Sequence, residues 1–191
     1  MEAAEAKELI EEAIEETEKA DRADRAEEKR FRDRVSILVG LFALLLAVIH
    51  VAAAENAREG VLKTIEASDT YNYMQAKIIR EAVLKTAAQQ PSLGAKARAG
   101  LLKDAAHLRE PDKAGHGISQ LQPQADRLRD DGELASKKGE MYEFAETALQ
   151  VAIVLLSIAL VARSWAIVTG AGALAALGAL LALATVAGLL A

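Results

Sequence analysis

The chain has 191 residues, 52% hydrophobic and 27% charged, with a net charge of −5 and a mean hydropathy of +0.11. It contains no cysteine, which excludes disulfides, thiolate metal sites and cysteine nucleophiles, and it has no broad basic surface, so nucleic acid is not expected as a partner. Apolar residues gather in two blocks and charge fills the rest, so lipid rather than one large core is expected to bury most of the apolar surface.

Residues 1–34 hold 13 acidic and eight basic residues and read as a charged, solvated helix. Glu15 with Lys19, Glu18 with Arg22, Asp21 with Arg25 and Glu28 with Arg32 are acid-before-base pairs one turn apart, each worth ~0.2–0.5 kcal/mol. The thin stripe Leu9, Ile10, Ala13 and Ile14 cannot support a core alone. The acidic half also suits pairing with another subunit or a basic partner.

Residues 35–54 (VSILVGLFALLLAVIHVAAA) carry no formal charge. They are long enough to cross a hydrocarbon layer of ~30 Å at ~1.5 Å per residue. The charged segment before them and the length of the run exclude a cleavable signal peptide. Residues 147–163 form a shorter second span whose Arg163 can snorkel at its end, and residues 165–190 form a third. Arg163-Ser164-Trp165 is the best candidate for the tight turn between them, with Trp165 at interfacial depth; the alternative, a turn near Thr169-Gly170, would leave Arg163 inside the bilayer at a cost of ~2.5–3.5 kcal/mol. Arg22, Arg25, Lys29, Arg30, Arg32 and Arg34 precede the first span and only Arg58 and Lys63 closely follow it. The bias places the N-terminus in the cytoplasm and residues 55–146 outside.

That outer insertion has 15 acidic and 14 basic residues. It is expected to contain helices at about 55–90, 93–109 and 119–146. In the first, Val61, Leu62, Ile65, Ile78, Ile79, Val83 and Leu84 recur at helical spacing. Pro91 ends it and Ser92 can cap the next. The second offers Leu93, Leu101, Leu102, Ala105 and Leu108 along one side. Residues 111–117 (PDKAGHG) form a turn. Ser119-x-x-Gln122 fits a capping box with Pro123 in the first turn, and the helix continues loosely through Asp131-Gly132 and Gly139. The expected fold is therefore all-α: an integral membrane protein with three spans and a long helical hairpin or three-helix insertion.

Residues 67–77 (ASDTYNYMQAK) resemble the signature of a bacterial membrane family known as domain of unknown function 4337. Phe144, the run 148–153 (ALQVAI), the run 157–159 (SIA), Arg163 and Trp165 are also similar to that family. The likeness extends from about residue 30 to the end. It implies an architecture and no established activity.

Within that signature Ser68, Asp69, Asn72, Tyr73, Gln75 and Lys77 form a polar waist on the first outer helix. Polar residues at seam positions fix register or oligomeric state, and the same set is a candidate small-molecule site; Lys77 can pair with Glu81 or reach an acidic residue on a returning helix. His107, Glu110, Asp112 and His116 gather at the turn without a compact metal-ligand spacing, so no metal or other cofactor is expected. His50 is expected in helix packing or facing lipid. In the third span Ala171, Ala175, Gly178, Ala179 and Ala182 make a small-residue face for close helix approach, within one subunit or between subunits, and Ala43 and Ala47 repeat it in the first. No convergent catalytic set is present, so the chain is not expected to be an enzyme. The leading expectation is a bacterial inner-membrane interaction module that self-associates through its spans and outer helix, with other membrane proteins as further possible partners. A small oligomeric channel or transporter subunit, and a sensor binding a small molecule on the outer helix, are the alternatives.

Overall fold

The structure is a computed structural model; it describes residues 2–190, with side chains from residue 15 onward except Ala20. The stripe Leu9, Ile10, Ala13 and Ile14 lies outside the described side chains. Every regular element among the described residues is a helix: α1 (Glu2–Ala88), α2 (Ala95–His107), α3 (Ile118–Ala162) and α4 (Trp165–Val186). Three of them, α1, α3 and α4, contain a stretch long and apolar enough to cross a membrane.

The sequence explains the lengths. No proline precedes Pro91 and only Gly40 and Gly60 interrupt the better helix formers, so α1 runs unbroken from charged through apolar to mixed composition. It stops because the ring of Pro91 disfavours helical geometry at the residue before it. Gln89 and Gln90 donate to the carbonyls of Thr86 and Ala87 (3.1 and 3.2 Å), tightening the last turn. Pro91 and Ser92 form the middle of a turn closed by Leu93 N–H on Gln90 C=O (3.2 Å). That leaves Gly94, not Ser92, as the residue preceding α2.

At the start of α3 the expected capping box is displaced. Gly117 is the cap, because its carbonyl receives the N–H of Gln120 and Leu121 at 2.9 and 3.0 Å. The side chain of Gln120, not Gln122, reaches back to Gly117 N–H at 3.2 Å. Ser119 Oγ instead donates to the carbonyl of Arg109 at 2.9 Å. Pro123 thus lies in the second turn, where the helix forgoes one N–H. Nor does α3 loosen at Gly132 or Gly139; both sit on its buried side, where a missing Cβ admits another backbone.

The chain divides into two compact units. The polar unit holds Ala52–Met141 and Gly188–Ala191. In it the buried or half-buried residues of α1 recur every seven positions as Ala53, Gly60, Ala67, Met74, Glu81 and Ala88. The corresponding row of α3 is Ile118, Leu121, Ala125, Gly132, Ala135 and Gly139. The two helices run antiparallel and close. A Cβ on Gly60 would overlap Ser136 Oγ and stand 3.2 Å from the Gly132 carbonyl oxygen; one on Gly139 would stand 3.3 Å from Ala57 N. Helix α2 covers the end of this pair with Ala105 buried and Leu93, Leu101 and Leu108 half-buried beside it.

The apolar unit holds Met1–Val51 and Tyr142–Ala187. Its core is a row on α3, Tyr142, Ala145, Leu149, Ala152, Leu156 and Ala159, packed with Val35 and Ile49 of α1 and the small face of α4. Helices α3 and α4 are joined by two residues. Arg163 takes a left-handed conformation (φ 49), and Ser164 N–H donates to Ala159 C=O at 3.4 Å, a six-to-one cap that ends one helix and starts the next.

Candidate interaction surface

The polar waist expected from the sequence is split in two by the structure. Ser68, Asp69, Asn72 and Gln75 are exposed on the side of α1 turned away from α3. Tyr73 and Lys77 instead hold the 111–117 loop. Lys77 Nζ donates to the carbonyl of His116 and stands 5.3 Å from the Tyr73 ring, and the His116 ring meets Tyr73 edge-on at 5.6 Å. Among the described residues Lys77 forms an ion pair neither with Glu81 nor with an acidic residue of a returning helix, the two alternatives the sequence offers; it goes to a loop carbonyl instead.

Glu81 is one of two buried polar or charged side chains among the described residues, at 2% exposure, because it occupies the seven-residue row that α1 presents to the interior of the pair. Its carboxylate receives Arg109 Nε at 2.8 Å from the end of α2 and Lys85 Nζ at 2.5 Å from one turn along. The Arg109 hydrogen bond, seconded by Lys85, holds the Glu81 carboxyl below the usual carboxylate range against the opposing effect of burial. Arg109 is correspondingly held above its ordinary value by Glu81. Sequence reasoning missed this pair; the signal was the seven-residue step from Met74 through Glu81 to Ala88.

The loop is ordered by Asp112. Its carboxylate accepts His116 N–H at 2.7 Å, its carbonyl accepts Gly115 N–H at 3.2 Å, and its own N–H donates to Gln120 Oε1 at 2.9 Å. The His116 hydrogen bond keeps the Asp112 carboxyl below its usual range. Gly115 supplies the left-handed turn (φ 78). His107 pairs with Glu110 at 3.2 Å, and among the described residues no three His, Asp or Glu side chains gather as a metal site. Farther along α1, Tyr71 donates to Asp126 of α3, and that hydrogen bond raises the Tyr71 hydroxyl above its ordinary value.

Of the apolar residues that recur at helical spacing on this helix, Val61, Leu62, Ile65, Ile78, Ile79 and Val83 are exposed, and only Leu84 is half-buried. Beside Gly60, Gly132 and Gly139 the backbones stand too close for large side chains to fit between them. The bulky residues therefore share the outward face with Ser68, Asn72 and Gln75. Along that face, Val61, Ile65, Ser68, Asn72, Gln75, Ile79 and Ala82 step alternately by four and three residues, and all are exposed.

In the apolar unit the small face of α4 is turned inward. Ala171, Ala175, Gly178 and Ala182 are buried and Ala179 half-buried; a Cβ on Gly178 would stand 2.9 Å from the carbonyl oxygen of Ala145 on α3. This face is used within one chain. Ala43 and Ala47 are exposed. At the charged end of this unit Arg163 reaches Glu28 at 2.5 Å, and Trp165 stacks edge-on against Phe31 at 5.0 Å. His50 Nδ1 lies 3.1 Å from Glu146 Oε1, which also accepts Gln150 Nε2 at 2.9 Å.

The model of a family described as a domain of unknown function, DUF4337, matches residues 31–189. The chain belongs to this family. The DUF4337 region begins at Phe31 and takes in the outward strip of α1, the Glu81 cluster and all three apolar stretches. Neither a curated protein nor a solved structure matches the DUF4337 chain.

Proposed function

We propose that the chain is a multi-pass protein of the bacterial inner membrane, with its N-terminus in the cytoplasm and residues 55–146 outside. There it acts as a non-catalytic structural module that pairs with a second copy along the outward strip of α1, as a coiled coil. The membrane reading is supported by the outer surface of the apolar unit, where Val161 (87% exposed), Ile37, Leu44, Leu177 and Leu183 are mostly uncovered; a contiguous apolar surface of this kind marks contact with lipid or another protein. The Glu28–Arg163 pair keeps the turn between α3 and α4 at the charged end of α1, consistent with both lying on the cytoplasmic side.

The observation that carries the pairing is the four-three spacing of the exposed strip. Val61 and Ile79 are 60% and 63% exposed where a solvated helix face would be polar. Burying the remaining area of Val61, Leu62, Ile65, Ile79 and Val83 offers on the order of 1 kcal/mol apiece. Confinement to one bilayer raises the effective concentration and lowers the cost of association. Two copies in one membrane are related by an axis along its normal, so their strips run parallel. Asn72 then faces Asn72 of the second copy, the position at which an amide fixes register at some cost in stability.

The absence of cysteine makes the test clean. In native membranes under mild oxidation, Ile65→Cys, Asn72→Cys and Ile79→Cys should each form a disulfide-linked dimer. The strip is nearly symmetric about residue 72, so an antiparallel pair would still link Asn72→Cys but would join Ile65→Cys only to Ile79→Cys. That pattern, or no link at any of the three, overturns the proposal. For the topology, an impermeant maleimide should label Gly100→Cys in spheroplasts and spare Lys19→Cys until the membrane is opened.

A further inference from the structure

The apolar unit contains a cleft of about 500 Å³ where the charged part of α1 gives way to the uncharged stretch beginning at Val35. Arg30 and Arg34 line it with Phe31, Trp165, Ala26 and Glu27. From this geometry we infer that the cleft binds the phosphodiester of an anionic glycerophospholipid, an inference that rests on the membrane reading above.

Arg30 and Arg34 stand one turn apart on the same helix face, and no ion pair with another described residue neutralises either. Like charges at this spacing repel by ~0.2–0.5 kcal/mol, and an anion between them reverses that sign. Two guanidinium forks suit one phosphodiester, whose two unesterified oxygens can each accept a pair of N–H bonds. Nearby Glu28, which would oppose an anion, is occupied by Arg163 at 2.5 Å and Arg32 at 3.8 Å. Residues 27–34 carry Lys29, Arg30, Arg32 and Arg34 against Glu27, Glu28 and Asp33, a net charge of +1, which disfavours the trimethylammonium of a zwitterionic head group. Ala26 leaves space above the arginines. Phe31 is buried and holds Trp165 at a right angle, so that the indole, 48% exposed, forms an apolar wall. A polar opening over an apolar wall matches a head group with its glycerol, and basic clefts at this depth are a general mode of lipid recognition. Glu27 on the rim can accept a hydrogen bond from a head-group hydroxyl.

Trp165 is the single tryptophan of the chain and lines this cleft, so its emission reports on this end of the apolar unit, and the arginine variants assign the response to the cleft. The full chain in neutral detergent is titrated with short-chain phosphatidylglycerol, phosphatidylethanolamine, phosphatidylcholine and inorganic phosphate. The expected result is a saturable change with phosphatidylglycerol at a Kd at least tenfold below that of either zwitterionic lipid. Arg30→Gln with Arg34→Gln should abolish the difference while Arg58→Gln keeps it. Arg30→Lys with Arg34→Lys, which keeps the charge and the helix, should weaken phosphatidylglycerol binding by severalfold. Equal response to all lipids, tighter binding of a zwitterionic lipid, or saturation by inorganic phosphate at the same concentration would each overturn the inference. Membrane residence is measured separately, by sedimentation of the chain with membranes at alkaline pH. A chain that sediments with membranes but shows no lipid preference defeats only the lipid site, whereas one that remains soluble without detergent defeats the membrane reading itself.

Discussion

Glu81 shows what one buried charge does for the polar unit. Its carboxylate ties the end of α2 to α1 through Arg109, and Lys85 satisfies it from its own helix. Because the folded carboxyl titrates below its ordinary value near 4.5, the stabilisation it brings is complete above that pH and is lost as pH falls through the lowered value. Thermal unfolding of the full chain should be flat from about pH 6 to 8 on this account and decline on approach to pH 4. In Glu81→Gln that acid-side component should be smaller, and the chain less stable at pH 7 by about 1–3 kcal/mol, since the charge-assisted contacts of Arg109 and Lys85 are both weakened. Lys77 carries a different lesson. Helical spacing places Lys77 within reach of Glu81, and the acid-before-base pairs between Glu15 and Arg32 form as that rule expects. At Glu81, however, the acid-before-base rule is met by Lys85, four positions on, Lys77 goes to the His116 carbonyl, and the remaining partner is Arg109, 28 positions away in sequence and invisible to local spacing.

Glycine decides how closely the helices approach. Gly60 and Gly132 face each other across the α1–α3 pair, and a Cβ on either would come within 3.2 Å of the other's carbonyl oxygen. Gly60→Ala should therefore lower stability by about 1–3 kcal/mol through overpacking, despite the better helix propensity of alanine. Gly100, in the interior of α2, has open space where a Cβ would stand, with nothing within 4 Å. Gly100→Ala should raise stability by about 0.5–1 kcal/mol, and chemical denaturation of the two variants side by side separates packing from propensity. The all-helical class and the three long apolar stretches were legible because proline, charge and hydropathy are local properties. The core of the polar unit was not. Large aliphatic side chains on α1 invite assignment to an interior, yet the interior went to Gly60, Ala67, Gly132 and Gly139, and Val61, Ile65 and Ile79 were left outside. Helix caps misled for a similar reason: Ser92 and Ser119 are good capping residues in isolation, but the turn through Pro91 and the Arg109 carbonyl use those positions otherwise.

At the scale of the whole chain, the inward and outward faces of α1 have different tasks. The inward row of small residues completes the fold within one chain, and the small face of α4 does the same against α3. If the outward strip joins two copies, its polar centre is a register device with a measurable cost. Asn72→Ile should strengthen dimerisation in detergent, seen by light scattering as a lower dissociation concentration, while broadening the set of cross-links to neighbouring positions. Ile65→Asp with Ile79→Asp should give a folded chain that no longer pairs. The clasp of Tyr73 and Lys77 on His116 explains why two of the six residues of the polar waist are unavailable to such an interface while the other four stay exposed.

The crossing of Gly60 and Gly132 has a kinetic corollary. Two main chains brought this near leave no room for a solvent molecule to slip between them, so opening there demands that the helices part as a whole. Under deuterium labelling, amides around residues 56–64 and 132–139 should be the last in the polar unit to take up the isotope, trailing those of α2 and the 111–117 loop, and they should quicken together when Gly60→Ala pries the crossing apart.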